Sequence, residues 1–347
     1  NDGIRARERN DGLLTVKVTG DVVADNEGIE AEHRGAGDML IDIGGNVVAN
    51  PESCCAEGID SEHRGNGDMT IIVAGDITSG SEGIYAEHEG DGDMSITTYG
   101  MIQTSDDEGL DVDHKGNGDI TIGIYGDVTG GTDGINALST GDGALSVTTN
   151  GIVTAEDGAA IRAFHEGSGD LSVTSFGALT AREVGADGDS TNGMFVEHTG
   201  SGVLTVTSNG TIDATEGDDG IDTEHEGTGD QVITVNADIT ADDEAINADH
   251  DGSGDLTTTV NANLTAGDQG VDIERAPGAS GDTFLVVNGD VTAGDDGIDV
   301  YHNGSGDLAV ISNGAIDATE GDDGIDTEHQ GTGDQVITVN ADITADN

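Results

Sequence analysis

A phrase that returns about every 26 residues, from one end to the other, is what most constrains this chain. It reads Gly-Ile-x-Ala-x-His-x-Gly-x-Gly-Asp. Its first residue falls at Gly3, Gly28, Gly58, Gly83, Gly109, Gly134, Ala160, Gly193, Gly220, Ala245, Gly270, Gly297 and Gly324. Self-similarity at such a period marks a solenoid, in which one small unit cannot bury its apolar face alone and stacks on its neighbours. Each repeat holds three short segments between Gly-rich or polar turns. In the copy that opens at Gly220 these are residues 220–225, 231–236 and 237–241. All three alternate apolar with polar residues and are rich in β-branched side chains, which predicts strands. Helices this short are marginal in water, and Gly and Thr disfavour them.

Columns read across the repeats carry the argument further. The residue after the opening Gly or Ala is apolar in every copy, from Ile4, Ile29 and Ile59 to Ile298 and Ile325. The third segment repeats this with Val22, Val47 and Ile77 through to Ile316 and Ile343. Two places beyond the first column the residues are small, as in Ala6, Ala31, Ser61 and Ala86. Like residues stacked at one strand spacing, about 4.8 Å, form continuous apolar ladders. A chain with 33% hydrophobic and 2% aromatic residues can therefore still bury a core. A polar column, Asn209, Asn236, Asn261, Asn288, Asn313 and Asn340, suits an amide ladder. Residues 212–242 closely match 316–346, the mark of internal duplication, which a stack of coils tolerates and an enzyme with one active site does not. The expectation is an all-β chain: a right-handed parallel β-helix (β-solenoid) of about 13 coils of ~26 residues. Each coil has three short strands, and residues 1–347 make one continuous repeat domain or a segment of a longer array.

The formal charge is −61, from 71 acids against 10 Lys and Arg. Nucleic acid and anionic membrane surfaces are excluded as partners, since both demand basic residues. No run is long and apolar enough for a membrane span. Charge of this size calls for screening by salt or by divalent cations. Oxygen-rich acidic turns suit Ca2+, and the candidate ligands are Asp106, Asp107, Asp218, Asp219, Asp242, Asp243, Asp295, Asp296, Asp322 and Asp323. A solvated acidic face in a high-salt medium is the competing reading. A further acid column, including Glu32, Glu62, Glu87, Asp113, Glu224 and Asp249, has outward parity, so carboxylates stack on carboxylates.

All ten histidines share one register: His33, His63, His88, His114, His165, His198, His225, His250, His302 and His329. Their parity matches the apolar columns, so they face inward at a corner. The structural reading is a ladder bonded to the Gly-x-Gly-Asp turn. A pH-sensitive column is a second reading. A metal column is a third, disfavoured because a ladder closes no tetrahedral site. Glu8, Ser139 and Arg275 interrupt the register. Two longer repeats carry inserts, residues 50–55 and 182–192. The first holds the only cysteines, Cys54 and Cys55, either a vicinal disulfide or a free thiol pair.

The phrase Gly158-Ala-Ala-Ile-Arg-Ala-Phe-His165, followed by Gly167-Ser-Gly-Asp-Leu-Ser-Val173, resembles the repetitive passenger regions of bacterial autotransporters (type V secretion). That resemblance covers essentially the whole chain. It implies a β-helix displayed on the bacterial cell surface, extracellular and adhesive, with host or neighbouring-cell glycans as partners. A β-helical carbohydrate-binding or carbohydrate-active protein, similar to polysaccharide lyases, is the rival class. Such enzymes need basic residues for an acidic substrate, and the only lysines, Lys17 and Lys115, lie outside the inserts, so the expectation is no enzyme. Outward aromatics in the first segment are Tyr85, Phe164, Phe195 and Tyr301, of which Phe164 and Phe195 make the best candidate patch. Because the sequence opens and closes inside a repeat, head-to-tail self-association into filaments is expected. The interface would set Arg5, Arg7 and Arg9 against Asp326 and Glu328 of a second molecule.

Overall fold

The computed structural model describes residues 1–183, 191–319 and 323–345. It is all-β, a parallel β-solenoid of about thirteen turns of about 26 residues. No helix forms among the described residues, so none is long and apolar enough to cross a membrane. The first coil sets the pattern with β1 (Ile4–Glu8), β2 (Leu14–Val18) and β3 (Val22–Ala24). The strands lie inside the expected segments. The segment at 220–225 is the strand Ile221–His225, and that at 237–241 shortens to Ile239–Ala241.

Contacts divide the chain into two compact units, Asn1–Gly169 and Asp170–Asn347. In the first, the sheet of β1 runs to Ile161–His165, that of β2 to Leu145–Thr149 and that of β3 to Val153–Ala155. The second unit repeats the three sheets, ending on Ile325–His329, Gln335–Val339 and Ile343–Ala345. Register is residue on equivalent residue. Ile4 pairs with Ile29 and Ala6 with Ala31; Val22 pairs with Val47; Ile221 pairs with Ile246 and His225 with His250. A slip of one residue would turn every buried side chain to solvent, so the apolar columns themselves fix this register. Ile29, Ile59, Ile84, Ile221 and Ile298 are fully buried. Each such side chain contributes roughly 1.5–3 kcal/mol by leaving water.

Glycine opens eleven of the thirteen repeats, because the coils nearly touch there. A Cβ added to Gly28 would lie 2.4 Å from Val47 Cγ1 and 2.5 Å from the Gly58 carbonyl oxygen. At Gly65, in the Gly-x-Gly-Asp turn, it would lie 1.7 Å from the Gly35 oxygen. Both positions demand close backbone approach.

Between strands some turn N–H groups bond to carbonyls of the neighbouring coil, and at others acids take that place. Asp68 N–H donates to Asp38 Oδ1 at 3.1 Å, Asp93 N–H to Asp68 at 3.1 Å, and Asp119 N–H to Asp93 at 2.9 Å. The second unit does the same with Asp255 on Asp230, Asp282 on Asp255 and Asp307 on Asp282, at 2.8–2.9 Å. The aspartate of the repeated phrase is thus a relay that holds the next coil's backbone. The Asn column is a chain of amide bonds. Asn236, Asn261, Asn288, Asn313 and Asn340 each donate Nδ2–H to the Oδ1 of the Asn one coil before, at 2.7–2.9 Å.

Candidate functional site

Two features hold chemistry: the histidine column inside the corner and the acids on the outward face of the sheet that begins with β1. In the first unit the histidine rings stack nearly parallel, His33 on His63 at 4.7 Å, His63 on His88 at 4.7 Å and His88 on His114 at 4.8 Å. Their Nε2 atoms bond to Gly12, Gly37, Gly65 and Gly90 carbonyls at 2.8–3.2 Å. A carbonyl only accepts, so Nε2 carries the proton and Nδ1 is a bare acceptor. Each of those four Nδ1 atoms is buried without a partner. Parallel rings send these lone pairs side by side, never towards one point, so the stack offers no coordination sphere.

In the second unit the rings turn. His198 and His225 meet edge to face, 78° apart, and His225 Nδ1 bonds to the His198 carbonyl at 2.8 Å. His302 Nδ1 bonds to Thr283 Oγ1 at 3.0 Å, and the last histidine of the first unit already makes this change, His165 Nδ1 bonding to the Ser139 carbonyl at 3.3 Å. His329 is half-buried and packs edge to face on His302 at 4.8 Å. Burial, with the neighbouring histidines, pushes His88 down to about 4. Burial, then Arg275 and His225, pushes His250 down to about 3.

Arg275 takes the histidine place in its coil and is fully buried. Its Nη2 donates to the Gly254 carbonyl at 3.0 Å, as a histidine Nε2 would, and to the Ser280 carbonyl at 2.8 Å. The turn that follows is longer and uses left-handed glycines, Gly278 at φ 96° and Gly281 at φ 112°.

On the outward face, carboxylates stack and are desolvated. Burial first, then Asp60, Glu82 and other acids, raises Glu57 to about 8, and its Oε2 has no partner. Burial and neighbouring acids raise Asp60 and Asp111 to about 7. In the second unit Asp222 and Asp272 rise to about 7 and Asp249 to about 6 for the same reasons. Asp219 rises to about 9, from burial and then a hydrogen bond to the Glu244 carboxyl.

Basic residues are not shared evenly. Eight of the ten lie in the first unit, where most of them answer acids. Arg7 Nη2 meets Glu30 at 2.6 Å, Arg64 meets Glu62 at 2.7 Å, Lys115 meets Asp113 at 3.1 Å and Arg162 meets Asp133 at 2.8 Å. In the second unit the outward positions of this sheet hold no Lys or Arg among the described residues.

The turn acids expected to bind Ca2+ are placed as follows. Asp106, Asp242, Asp243, Asp295 and Asp323 are exposed; Asp107, Asp218 and Asp296 are half-buried; Asp219 is buried. Several already accept hydrogen bonds: Asp107 from Ser81 Oγ at 2.7 Å, Asp218 from Thr191 N–H at 3.0 Å, Asp219 from Glu244 N–H at 3.1 Å and Asp296 from Asp323 N–H at 3.0 Å. Asp322 lies outside the described residues. Among the described residues, the three acids that do converge, with one oxygen each within 4.8 Å of the others, are Asp2, Glu27 and Glu30 in the first two coils. They are already bonded, Asp2 to Arg5 at 3.2 Å and to Asn26 at 3.0 Å, and Glu30 to Arg7.

The residues expected at a self-assembly interface are likewise occupied at one side. Arg5 pairs with Glu30, and Arg7 with Glu30 and Glu32. The Arg9 N–H donates to Glu8 at 2.9 Å. Asp326 and Glu328 are exposed.

No protein-family model, curated protein or solved structure matches this chain.

Sequence reasoning missed the main exposed aromatic feature. Tyr99 and Tyr125 are 56% and 54% exposed and stack at 5.1 Å, 15° from parallel. Met101 and Ile152 lie exposed beyond the same turn. Tyr85, Phe164, Phe195 and Tyr301 are half-buried instead. The signal was present: Tyr99 and Tyr125 directly follow the second strand, the place the Asn ladder holds in the second unit.

Proposed function

We propose that this chain is a structural and adhesive β-solenoid of a bacterial cell surface, working outside the cell where divalent cations such as Ca2+ neutralise its acid columns. The observation that supports this reading is the desolvated acid columns of the second unit, Asp222 and Asp272 on either side of Asn247 and Asp249 between Glu224 and Glu274, on a face that holds no basic side chain among the described residues. Such a column at neutral pH either keeps protons or takes cations. Repetition without a distinguished coil suits scaffolding more than chemistry at one centre. Ligand linkage gives the test: a cation that binds only the folded chain raises its Tm. Melting in millimolar Ca2+ should exceed melting in chelator at matched ionic strength. Equal melting would reduce the role of cations to general screening and remove this argument for an extracellular medium.

A second reading, glycan binding, is favoured by the exposed Tyr99 and Tyr125 pair beside Met101. Aromatic rings pack on the apolar faces of sugars. Tyr99→Ala with Tyr125→Ala should then abolish retention on immobilised polysaccharides. Unchanged retention, or none by the wild type, would reject it.

A further inference from the structure

The insert at residues 50–55 carries two thiols on a turn that the fold holds in place. The Asn50 carbonyl accepts Ser53 N–H at 3.0 Å, and Asn50 Oδ1 accepts Glu52 N–H at 3.3 Å. Ala56, fully buried, accepts Gly80 N–H at 3.1 Å and Ser81 N–H at 3.2 Å from the next coil. Ser105 Oγ, a coil further on, donates to the Pro51 carbonyl at 3.1 Å. The turn settles so closely that a Cβ on Gly80 would lie 2.0 Å from the Ser53 oxygen. On this base Cys54 and Cys55 are both exposed, with Sγ atoms 3.1 Å apart.

We propose that Cys54 and Cys55 form a reversible dithiol–disulfide site on the solenoid surface, oxidised by small disulfides that are neutral or positively charged. The two sulfurs are already in contact, so ring closure asks for a local adjustment of the two cysteines and no long approach of separate segments. One cysteine thiolate attacks the disulfide R–S–S–R and expels RS⁻, which takes a proton. The other then attacks the mixed-disulfide sulfur and expels the second RS⁻. Two cysteine thiols lose two protons and two electrons, and R–S–S–R becomes two thiols.

The charge of the oxidant is selected by the surroundings. Asp107 and Glu82 stand beside the pair, the first held by Ser81 Oγ at 2.7 Å. The Cys55 thiol is raised above its ordinary value, first by its hydrogen bond to Cys54 and further by those two acids. The same acids repel an anionic disulfide and attract a cationic one. Reversibility follows from adjacency. Neighbouring Cα atoms across a trans peptide are about 3.8 Å apart, below the roughly 4.4–6.8 Å span of ordinary disulfides, so the ring is strained and easily reduced. This makes the site a labile one, distinct from the staples of small secreted domains.

The reduced full chain should be treated at pH 8 and low ionic strength with cystamine, a dication, or with oxidised glutathione, a dianion, and followed by intact mass and thiol titration. Cystamine should remove both thiols with loss of two hydrogens and no retained adduct, at least about tenfold faster than glutathione disulfide. Added salt should narrow that ratio, and a mild reductant should restore both thiols. Cys55→Ser should stop at the cysteamine adduct on Cys54. A wild-type chain that keeps two adducts, or that links into disulfide dimers, would overturn ring closure. Equal rates for the two disulfides at low salt would overturn the selection by charge.

Discussion

Replacing Asp222 by Asn isolates the energetic effect of the acid column. Asp222 is raised from 3.8 to about 7, first by burial, then by Asp249 and Glu224. A carboxyl raised on folding stabilises the folded chain fully below its unfolded value, and that contribution is lost as pH rises through the folded value. The penalty therefore grows between about pH 4 and pH 7 and is complete above it. A shift of roughly 3 units corresponds to at most about 4 kcal/mol. Asp222 is half-buried, and solvent screening reduces this to about 1–2 kcal/mol. The substitution is sterically mild, because the strand position paired with Asp222 is already an asparagine, Asn247. Its carbonyl oxygen can still accept the Asn192 amide, now bonded at 3.1 Å. At about 2–4 °C per kcal/mol for a unit of this size, Asp222→Asn should raise Tm by roughly 2–8 °C at pH 8 in chelator. The gain should nearly vanish at pH 4, close to the ordinary value of 3.8, and disappear below it as the aspartic acid becomes neutral in both states. Thermal melts by circular dichroism at pH 4, 6 and 8 and constant ionic strength give the answer. A gain that is absent at pH 8, or equal at pH 4 and pH 8, would refute the reasoning.

Histidine carries the opposite sign. His88 is pushed down to about 4, so its contribution is present above about pH 6.5 and is lost as pH falls towards 4; His88→Asn should flatten that acid limb while lowering stability at pH 7.5 by about 1 kcal/mol through loss of the Gly65 bond. Ile221→Ala, at a fully buried place in the apolar column, should cost about 2–5 kcal/mol by chemical denaturation. Asn261→Ala breaks two amide bonds, to Asn236 and from Asn288, and should cost about 1 kcal/mol, with faster hydrogen exchange in the flanking turns as the readout.

The apolar columns were legible because a solenoid writes its register into its sequence. When Ile29 lies on Ile59 and Ile59 on Ile84, the period of the chain is the pitch of the coil, and no other pairing buries all three. The Asn ladder was legible for the same reason. The acids were harder, since one residue type serves opposite purposes. Read as charge, Asp68 and Asp93 belong to an undivided total of 71 acids. In the fold each is a backbone acceptor that closes a turn, whereas Asp222 and Asp272 accept burial with no cation to meet them. What separates the two uses is position relative to the strand ends, which composition does not record. A turn whose N–H groups have left one ladder and not joined the next needs an acceptor, and a column of Asp at that place supplies it. A column of Asp within a strand supplies nothing of the kind and raises the free energy of the folded chain. The first unit offsets that column with Arg7, Arg64, Lys115 and Arg162. The second has no such residues on that face among those described. Dependence on added cations should therefore concentrate in residues 170–347, and hydrogen exchange compared with and without Ca2+ should show its largest change there.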